Sequence, residues 1–225
     1  MINIPNLSRR LRAAADFVRP DSFVADVGTD HAYLPIALLS EGRIRGGVAS
    51  DLRQGPLLRA TEHIRRAGLE DRLTPILCDG LSALEPYAPE DIFILGMGGE
   101  LIAGILGRAP WVKRGGVRLI LQPMTHPELL RRFLLAEGFA IVGETLVKED
   151  KIYQILCAEY TGETAVWREV ELLFGRENLR RGGPLLTELL CRWEEILGAR
   201  VSGKRSAGAD ASEEERLLQE IGEWK

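Results

Sequence analysis

Between residues 22 and 160, short apolar runs alternate with amphipathic stretches. Ser22–Val27 (SFVADV) is brief, apolar and carries two valines, which predicts a buried strand. Residues 32–41 then read as a helix that Gly42 can end. The alternation repeats with a strand over 46–51 (GGVASD) and a helix over 54–67, with Pro56 in its first turn and Gly68 as its stop. A third strand over 73–78 contains Pro75, which puts it near a sheet edge or a bend. Strands over 92–97 (IFILGM) and 117–122 (VRLILQ) are followed by helices over 100–106 and 127–137. Residues 139–147 and Ile152–Tyr160 alternate more regularly and are spaced as an antiparallel hairpin. Five strand–helix alternations and a closing hairpin predict a seven-stranded, mostly parallel α/β sheet with helices on both faces. Ligands of such sheets bind beyond the carboxyl ends of the strands. The VGTDH, SDL, CDG and GMGG turns all fall there.

A short helix is expected ahead of the first strand, with Ser8 as cap and Leu11, Ala14, Ala15 and Val18 on its apolar face. After Thr161-Gly162 the pattern changes. A helix is expected over 163–174, Gly182-Gly183-Pro184 breaks the chain, and residues 185–197 are strongly amphipathic. The Gly-, Ser- and Ala-rich stretch 198–211 reads as mobile. Ser212 with Glu215 forms a capping-box pattern for a last helix. The chain therefore divides into a sheet domain over 1–161 and a small helical domain over 162–225.

With 225 residues, 45% of them hydrophobic and 28% charged, the chain is large enough for one full α/β domain and an appendage. No window approaches the roughly 18 apolar residues of a membrane span. The opening MINIPNLSRRLRAAADFV lacks the apolar core and cleavage site of a signal peptide, so a cytoplasmic protein is expected. A net charge of −4 argues against coating nucleic acid by bulk charge, while leaving room for local basic patches. Cys78, Cys157 and Cys191 are far apart and do not cluster with His31, His63 or His126, so neither a metal site nor a disulfide framework is expected.

The first turn decides the ligand class. A dinucleotide fold places GxGxxG after its first strand so that backbone amides can approach a pyrophosphate. Here only Gly28 is present, with Asp30 just after it and Asp26 just before it, an arrangement that repels a diphosphate. The turn suits a ligand with a cationic group and no phosphate, and S-adenosylmethionine has an ammonium, a sulfonium and no phosphate. Gly28 would let the backbone pass close to the ligand, and Asp26 would accept from the ammonium. A second acid is wanted at the end of strand two, about 20 residues on, for the ribose hydroxyls; Asp51 stands there. Asp79 stands at the end of strand three, where an adenine amine would lie. Each acid taken singly could instead cap the helix or turn that follows it, but three at successive strand ends favour a ligand site over caps alone. GMGG after strand four resembles part of a dinucleotide fingerprint, but Leu101 occupies the third glycine position and the strand is the wrong one, so a nicotinamide or flavin is set aside. The small-residue turn reads better as one that lets a substrate approach the methyl group.

DVGTDHAYLP (26–35), SDLRQGPLLRA (50–60), CDGL (78–81), ILGMGG (94–99), LQPM (121–124) and EDKIYQIL (149–156) occur in this order and resemble the bacterial tRNA (adenine-22-N1)-methyltransferases. The resemblance covers roughly residues 7–160. It implies a class I methyltransferase (Rossmann-like) fold with a small helical, coiled-coil-like domain after it. It also implies S-adenosylmethionine as methyl donor, tRNA as substrate and N1-methyladenosine in the D-arm region as product. Carried over by position, the cofactor contacts are Asp26, Gly28, Asp30, His31, Asp51, Asp79 and Gly80. Gly96 stands between cofactor and substrate, and the substrate side continues through Met97, Gly98, Gly99, Gln122, Pro123 and Met124. The tail after Phe174-Gly175 departs from the family pattern, being shorter and interrupted by Gly182-Gly183-Pro184.

N1 of adenine has a lone pair and attacks without first losing a proton, so the immediate product is cationic. A carboxylate beside the base would orient the exocyclic amine and offset the developing charge. Asp30, after the cofactor turn, is the candidate catalytic residue; its alternative role is to cap the next helix. His31 reads equally as a ligand contact or a packed histidine, Tyr33 and Tyr153 as core before base-stacking residues, and His63 as a surface residue. Two strips could meet RNA phosphates, Arg9, Arg10, Arg12 and Arg19 in one and Arg176, Arg180 and Arg181 in the other. Two further readings stay open: a methyltransferase acting on another RNA or a small molecule, and a non-catalytic RNA-binding module on the same fold. No metal, DNA or membrane partner is expected, and the chain is expected to be a monomer or a weak homodimer.

Overall fold

The computed structural model of the chain describes residues 6–224; the first five residues of the amino-terminal stretch and Lys225 lie outside the described residues. The seven expected strands are present: β1 (Ser22–Val27), β2 (Ile44–Asp51), β3 (Leu73–Leu77), β4 (Asp91–Met97), β5 (Arg118–Pro123), β6 (Phe139–Lys148) and β7 (Ile152–Tyr160). They form one sheet in the order β3-β2-β1-β4-β5-β7-β6. The first five are parallel, and β7 runs antiparallel between β5 and β6. The order reverses between β1 and β4, which places the topological switch point beyond Val27 and Met97.

Period-two alternation assigns each strand residue to one of two cores. Val24, Ala49, Phe93, Ile120 and Ile155 pack under α1 (Arg9–Ala15), α2 (Tyr33–Ser40) and α3 (Gln54–Arg66). Ala25, Val48, Ile92, Ile94, Leu119 and Leu121 pack under α4 (Gly99–Gly107) and α5 (Pro127–Ala136). Pro75 lies in β3, the outermost strand on one side, as its missing N–H requires.

The tail differs from expectation in three places. Residues 163–168 are not helical. The segment instead splits into α6 (Glu169–Phe174) and α7 (Arg176–Arg181) around Gly175, and the Glu171 carboxylate accepts from Arg168 N at 2.7 Å at the start of α6. Residues 198–206 of the stretch expected to be mobile belong to a 23-residue helix, α8 (Pro184–Ser206), and only 207–211 connect it to the next helix. Leu197 and Val201 are buried there, and Lys204 and Arg205 pair with Glu214 and Glu215 of α9 (Ser212–Gly222), so tertiary packing outweighs the low propensity of the glycines. Ser212 does not cap α9: its N–H and hydroxyl both donate to Asp210, while Glu215 is held by Arg205. A third core joins these helices to the sheet, with Phe174, Leu186, Leu190 and Ile221 packed against Leu146 and Ile152. No helix among the described residues is long and apolar enough to cross a membrane.

Candidate active site

The carboxyl ends of β1 to β4 surround a cleft of about 330 Å³, within the ~300–1,000 Å³ typical of small-molecule sites. Gly28, Asp30, Asp51, Asp79, Gly80, Gly96 and Met97 line it, so most of the residues singled out for the cofactor converge on one place. The turn after β1 is fastened to β2, because Gly28 N and Thr29 N both donate to Ser50 O, at 2.8 and 2.9 Å. Gly28 has φ +73°, and a Cβ there would run into Met97 Cε, so a side chain would close the floor of the cleft.

Two expected cofactor contacts, Asp26 and His31, do not line the cleft; Asp26 is buried in β1. Its carboxylate accepts from Thr29 Oγ1 at 2.5 Å. Burial pushes the carboxyl up to about 6; the Thr29 hydrogen bond pulls the other way and the nearby Asp51 charge adds to the rise. The Asp51 side chain is 8% exposed and accepts from Arg53 N at 2.8 Å. Asp79 stands in the open, 3.6 Å from Arg108. Asp30 has φ +49° and is held by Arg59 at 2.6 Å and by His31 Nε2 at 3.3 Å. Asp30 therefore does not cap α2, whose first-turn amides receive no side-chain cap; Ala32 occupies the cap position with φ +57°. Asp30, Asp51 and Asp79 thus each have an arginine within 4 Å: Arg59, Arg53 and Arg108. Those three arginines were not legible as site residues, because each is one of many charges on an amphipathic surface.

The GMGG and QPM turns lie side by side. Met124 N donates to Met97 O at 2.7 Å, and Gly99 N donates to Thr125 O at 2.8 Å. A Cβ on Gly99 would collide with the His126 carbonyl, which explains the glycine. Gln122 is fully buried; its Oε1 accepts from Gly96 N at 3.1 Å and from Arg10 Nη1 at 2.6 Å, and its Nε2 donates to Pro123 O at 2.9 Å. Gln122 therefore fixes the end of β4. Gly98, Gly99, Gln122, Pro123 and Met124 adjoin the cleft without lining it.

The two arginine strips do not survive as strips. Arg10 turns inward to Gln122, Arg12 pairs with Glu41 at 2.7 Å, and Arg19 is spent on the buried Asp91 at 2.5 Å. Arg9 alone of that set lies on an exposed groove, with Leu146, Lys148 and Leu185. Arg176 pairs with Glu171 and Arg180 with Glu177, leaving Arg181 beside Asp16 and Glu144 on another groove. Arg12 and Arg19 are claimed by carboxylates distant in the chain, Arg176 and Arg180 by carboxylates three to five residues away, and Arg10 by an amide. Tyr153 is buried, as core packing predicts, with Arg10 and Lys151 over its ring. Tyr33 is 39% exposed instead, and His63 is half-buried rather than free at the surface. The three cysteines are free, and no cluster of metal-ligating side chains occurs among the described residues.

A buried acid under a one-glycine turn, two more acids at the next strand ends and no phosphate cradle fit a donor with an ammonium and a ribose. The comparisons give the family. A family model described as a methyltransferase domain matches residues 7–156. The tRNA (adenine(22)-N(1))-methyltransferase of Bacillus subtilis (strain 168) is 32% identical over 228 residues, covering 98% of this chain and 94% of that protein. The aligned length takes in the tail that was expected to depart from the family. A Streptococcus agalactiae structure described as a protein of the NADB-Rossmann superfamily superposes with a TM-score of 0.91 at 32% identity, over 99% of this chain and 98% of that one. A Streptococcus pneumoniae structure, described as a putative tRNA (m1A22) methyltransferase in complex with S-adenosyl-L-methionine, gives a TM-score of 0.86 at 32% identity, over 96% and 99%. Fold, strand-end acids and near full-length similarity converge, and the chain belongs to the tRNA (adenine(22)-N(1))-methyltransferase family.

Proposed function

We propose that the cleft binds S-adenosylmethionine and that the enzyme methylates N1 of adenine 22 in tRNA. The observation that carries the reading is the set of acids at the ends of three successive parallel strands around a turn whose Gly28 has positive φ and abuts the Met97 side chain. Asp26 and the Thr29 turn would receive the ammonium, Asp51 the ribose hydroxyls, and Asp79 with Gly80 the adenine edge. The bound donor supplies an electrophilic methyl group. The protein's part is to hold that group and the attacking nitrogen in line, a contribution that reaches effective molarities of about 10⁵ M or more. Gly96, Met97, Gly98 and Gly99, braced by Gln122, Pro123 and Met124, form the wall against which the unpaired base is held. Asp30, at the cleft, would accept from the exocyclic amine and offset the charge that appears on the ring. Residues 1–161 carry the transfer, and Arg9, on a groove it shares with Leu185 of α8, lies with the helices of 162–225 toward the RNA, while Arg10 is held inward by Gln122. We place the reaction in the cytoplasm, with the chain acting as a monomer or a weak homodimer.

The direct test is methylation of an unmodified tRNA transcript with labelled donor, followed by nucleoside analysis and repetition with adenine 22 replaced by guanine. Label in 1-methyladenosine that disappears with the replacement is expected; label elsewhere refutes the assignment. Asp30→Asn is expected to keep donor affinity by calorimetry and to lose at least about 100-fold in single-turnover rate. Unchanged turnover removes Asp30 from the chemistry.

A further inference from the structure

Three rings outside the cleft have no part in the reading above. His31 and Tyr33 are stacked with centroids 5.0 Å apart and planes 13° apart. Tyr33 and His63 are stacked at 5.1 Å and 25°, and His31 and His63 lie 5.4 Å apart at 32°. The three rings, inclined to one another by 13–32° and mutually similar in spacing, form a tile, because a column would put its end rings about twice as far apart as its neighbours. The tile is braced: His63 Nδ1 and the His31 carbonyl are 3.0 Å apart, which ties α3 to the turn after β1. His31 sits between two non-glycine residues with positive φ, Asp30 at +49° and Ala32 at +57°. Strain of this kind persists where the surroundings over-determine it and collects at ligand clamps. Tyr33 at 39% exposed and the His31 side chain at 34% leave part of the tile in solvent.

We propose that this tile is a stacking site for an unpaired nucleobase flanking the target adenine, a reading that rests on the proposed tRNA substrate. Aromatic faces with polar edges suit a nucleobase, which offers a π-face whatever its sequence. The Arg59–Asp30 ion pair, 2.6 Å across, borders the tile and gives it a polar edge. An apolar partner is a poorer match for two imidazoles, a phenol and an ion pair. The base on the tile is not the reacting one, because none of the three rings lines the cleft. Extruding one adenine breaks its stacking on the neighbouring base. The tile replaces that lost stacking partner for the base left behind.

The test uses Tyr33→Leu and Tyr33→Trp in the full chain, with an unmodified tRNA transcript and with transcripts carrying 2-aminopurine on either side of position 22 or at it. For Tyr33→Leu the KM for tRNA is expected to rise by about 5- to 100-fold, with the dissociation constant for S-adenosylmethionine unchanged. Tyr33→Trp keeps the flat face and is expected to stay within about threefold of wild type. Fluorescence of the flanking 2-aminopurine should differ between complexes of wild type and Tyr33→Leu. A tRNA KM that Tyr33→Leu leaves unaltered overturns the proposal, as does a fluorescence difference confined to position 22. If the wild-type enzyme leaves adenine 22 unmodified, it is the proposed reaction that fails, and nucleoside analysis separates that outcome from failure of the tile.

Discussion

Arg131→Met is the substitution with the largest expected effect on stability. Arg131 projects from α5 and is fully buried. Its Nε donates to Glu144 of β6, its Nη2 to Gln154 Oε1 of β7 and its Nη1 to Leu172 O of α6, each at 2.7 Å. The remaining bonds of those partners point into the tail: Gln154 Nε2 donates to Leu173 O at 2.9 Å, and Glu177 N donates to Glu144 at 3.1 Å. Methionine fills the volume but strands a buried carboxylate, and removing one partner of a buried ion pair costs about 3–5 kcal/mol. For a chain of this length each kcal/mol moves Tm by roughly 2–4 °C, so a fall of about 6–20 °C is expected. Urea unfolding followed by circular dichroism measures the loss, and in a background with Trp111, Trp167 and Trp224 replaced by Phe the fluorescence of Trp193, whose ring meets Phe174 edge-on, reports the tail. Arg131→Met with Glu144→Leu should recover at least half of the loss, since no buried charge is then left unpaired. A single variant within about 1 kcal/mol of wild type, or a double variant no more stable than the single, refutes the account.

Asp26 makes a pH prediction. Its carboxyl is raised from 3.8 to about 6 in the fold, so between those values the folded state holds a proton that the unfolded state has released. Stability from this group is therefore full below pH ~4, falls by roughly 3 kcal/mol as pH rises to about 6 and is flat above it. The difference between wild type and Asp26→Asn, followed by urea melts across that range, should show this negative slope; a positive slope contradicts it. On the proposed role of Asp26 as acceptor for the ammonium, donor binding should weaken as pH falls through about 6 and release a proton below it, a change seen by calorimetry in buffers of different ionisation heat. Gly28→Ala should lower stability by about 1–2 kcal/mol through its positive φ and reduce donor affinity by at least tenfold; unchanged affinity means the floor of the cleft is not a contact. Cys157, whose thiol burial pushes up to about 12, should resist iodoacetamide at pH 8 in the folded protein, which peptide mapping checks.

The alternating pattern placed all seven strands because both faces of this sheet are covered, so each run had to be apolar and bounded by turns. The acids at strand ends were legible for the same reason: Asp26, Asp51 and Asp79 each interrupt an apolar run at its carboxyl end. What pattern could not supply was the partner of each charge. Arg12 and Arg19 look alike on a helical wheel, yet one meets Glu41 in the open and the other the buried Asp91 across the fold. The Gly- and Ser-rich half of α8 read as a linker because its helicity is enforced by α9, a contact that local composition does not encode. The ring tile escaped detection because His31 and Tyr33 are joined by His63 from the next helix, a neighbour in space only.

Pro75 has a consequence beyond its place in β3. Cys78 N donates inward to Asp51 O, so Leu73, Pro75 and Leu77 present their amide positions to the open side of the sheet. Leu73 N is already bonded to Leu69 O at 2.9 Å, and Pro75 has no N–H to give. The margin thus offers a passing strand one donor, at Leu77, where a regular edge of this length would offer three. An extended segment of another chain cannot zip onto such a margin, and the enzyme is guarded against cross-β growth from that side by one ring and one capped amide.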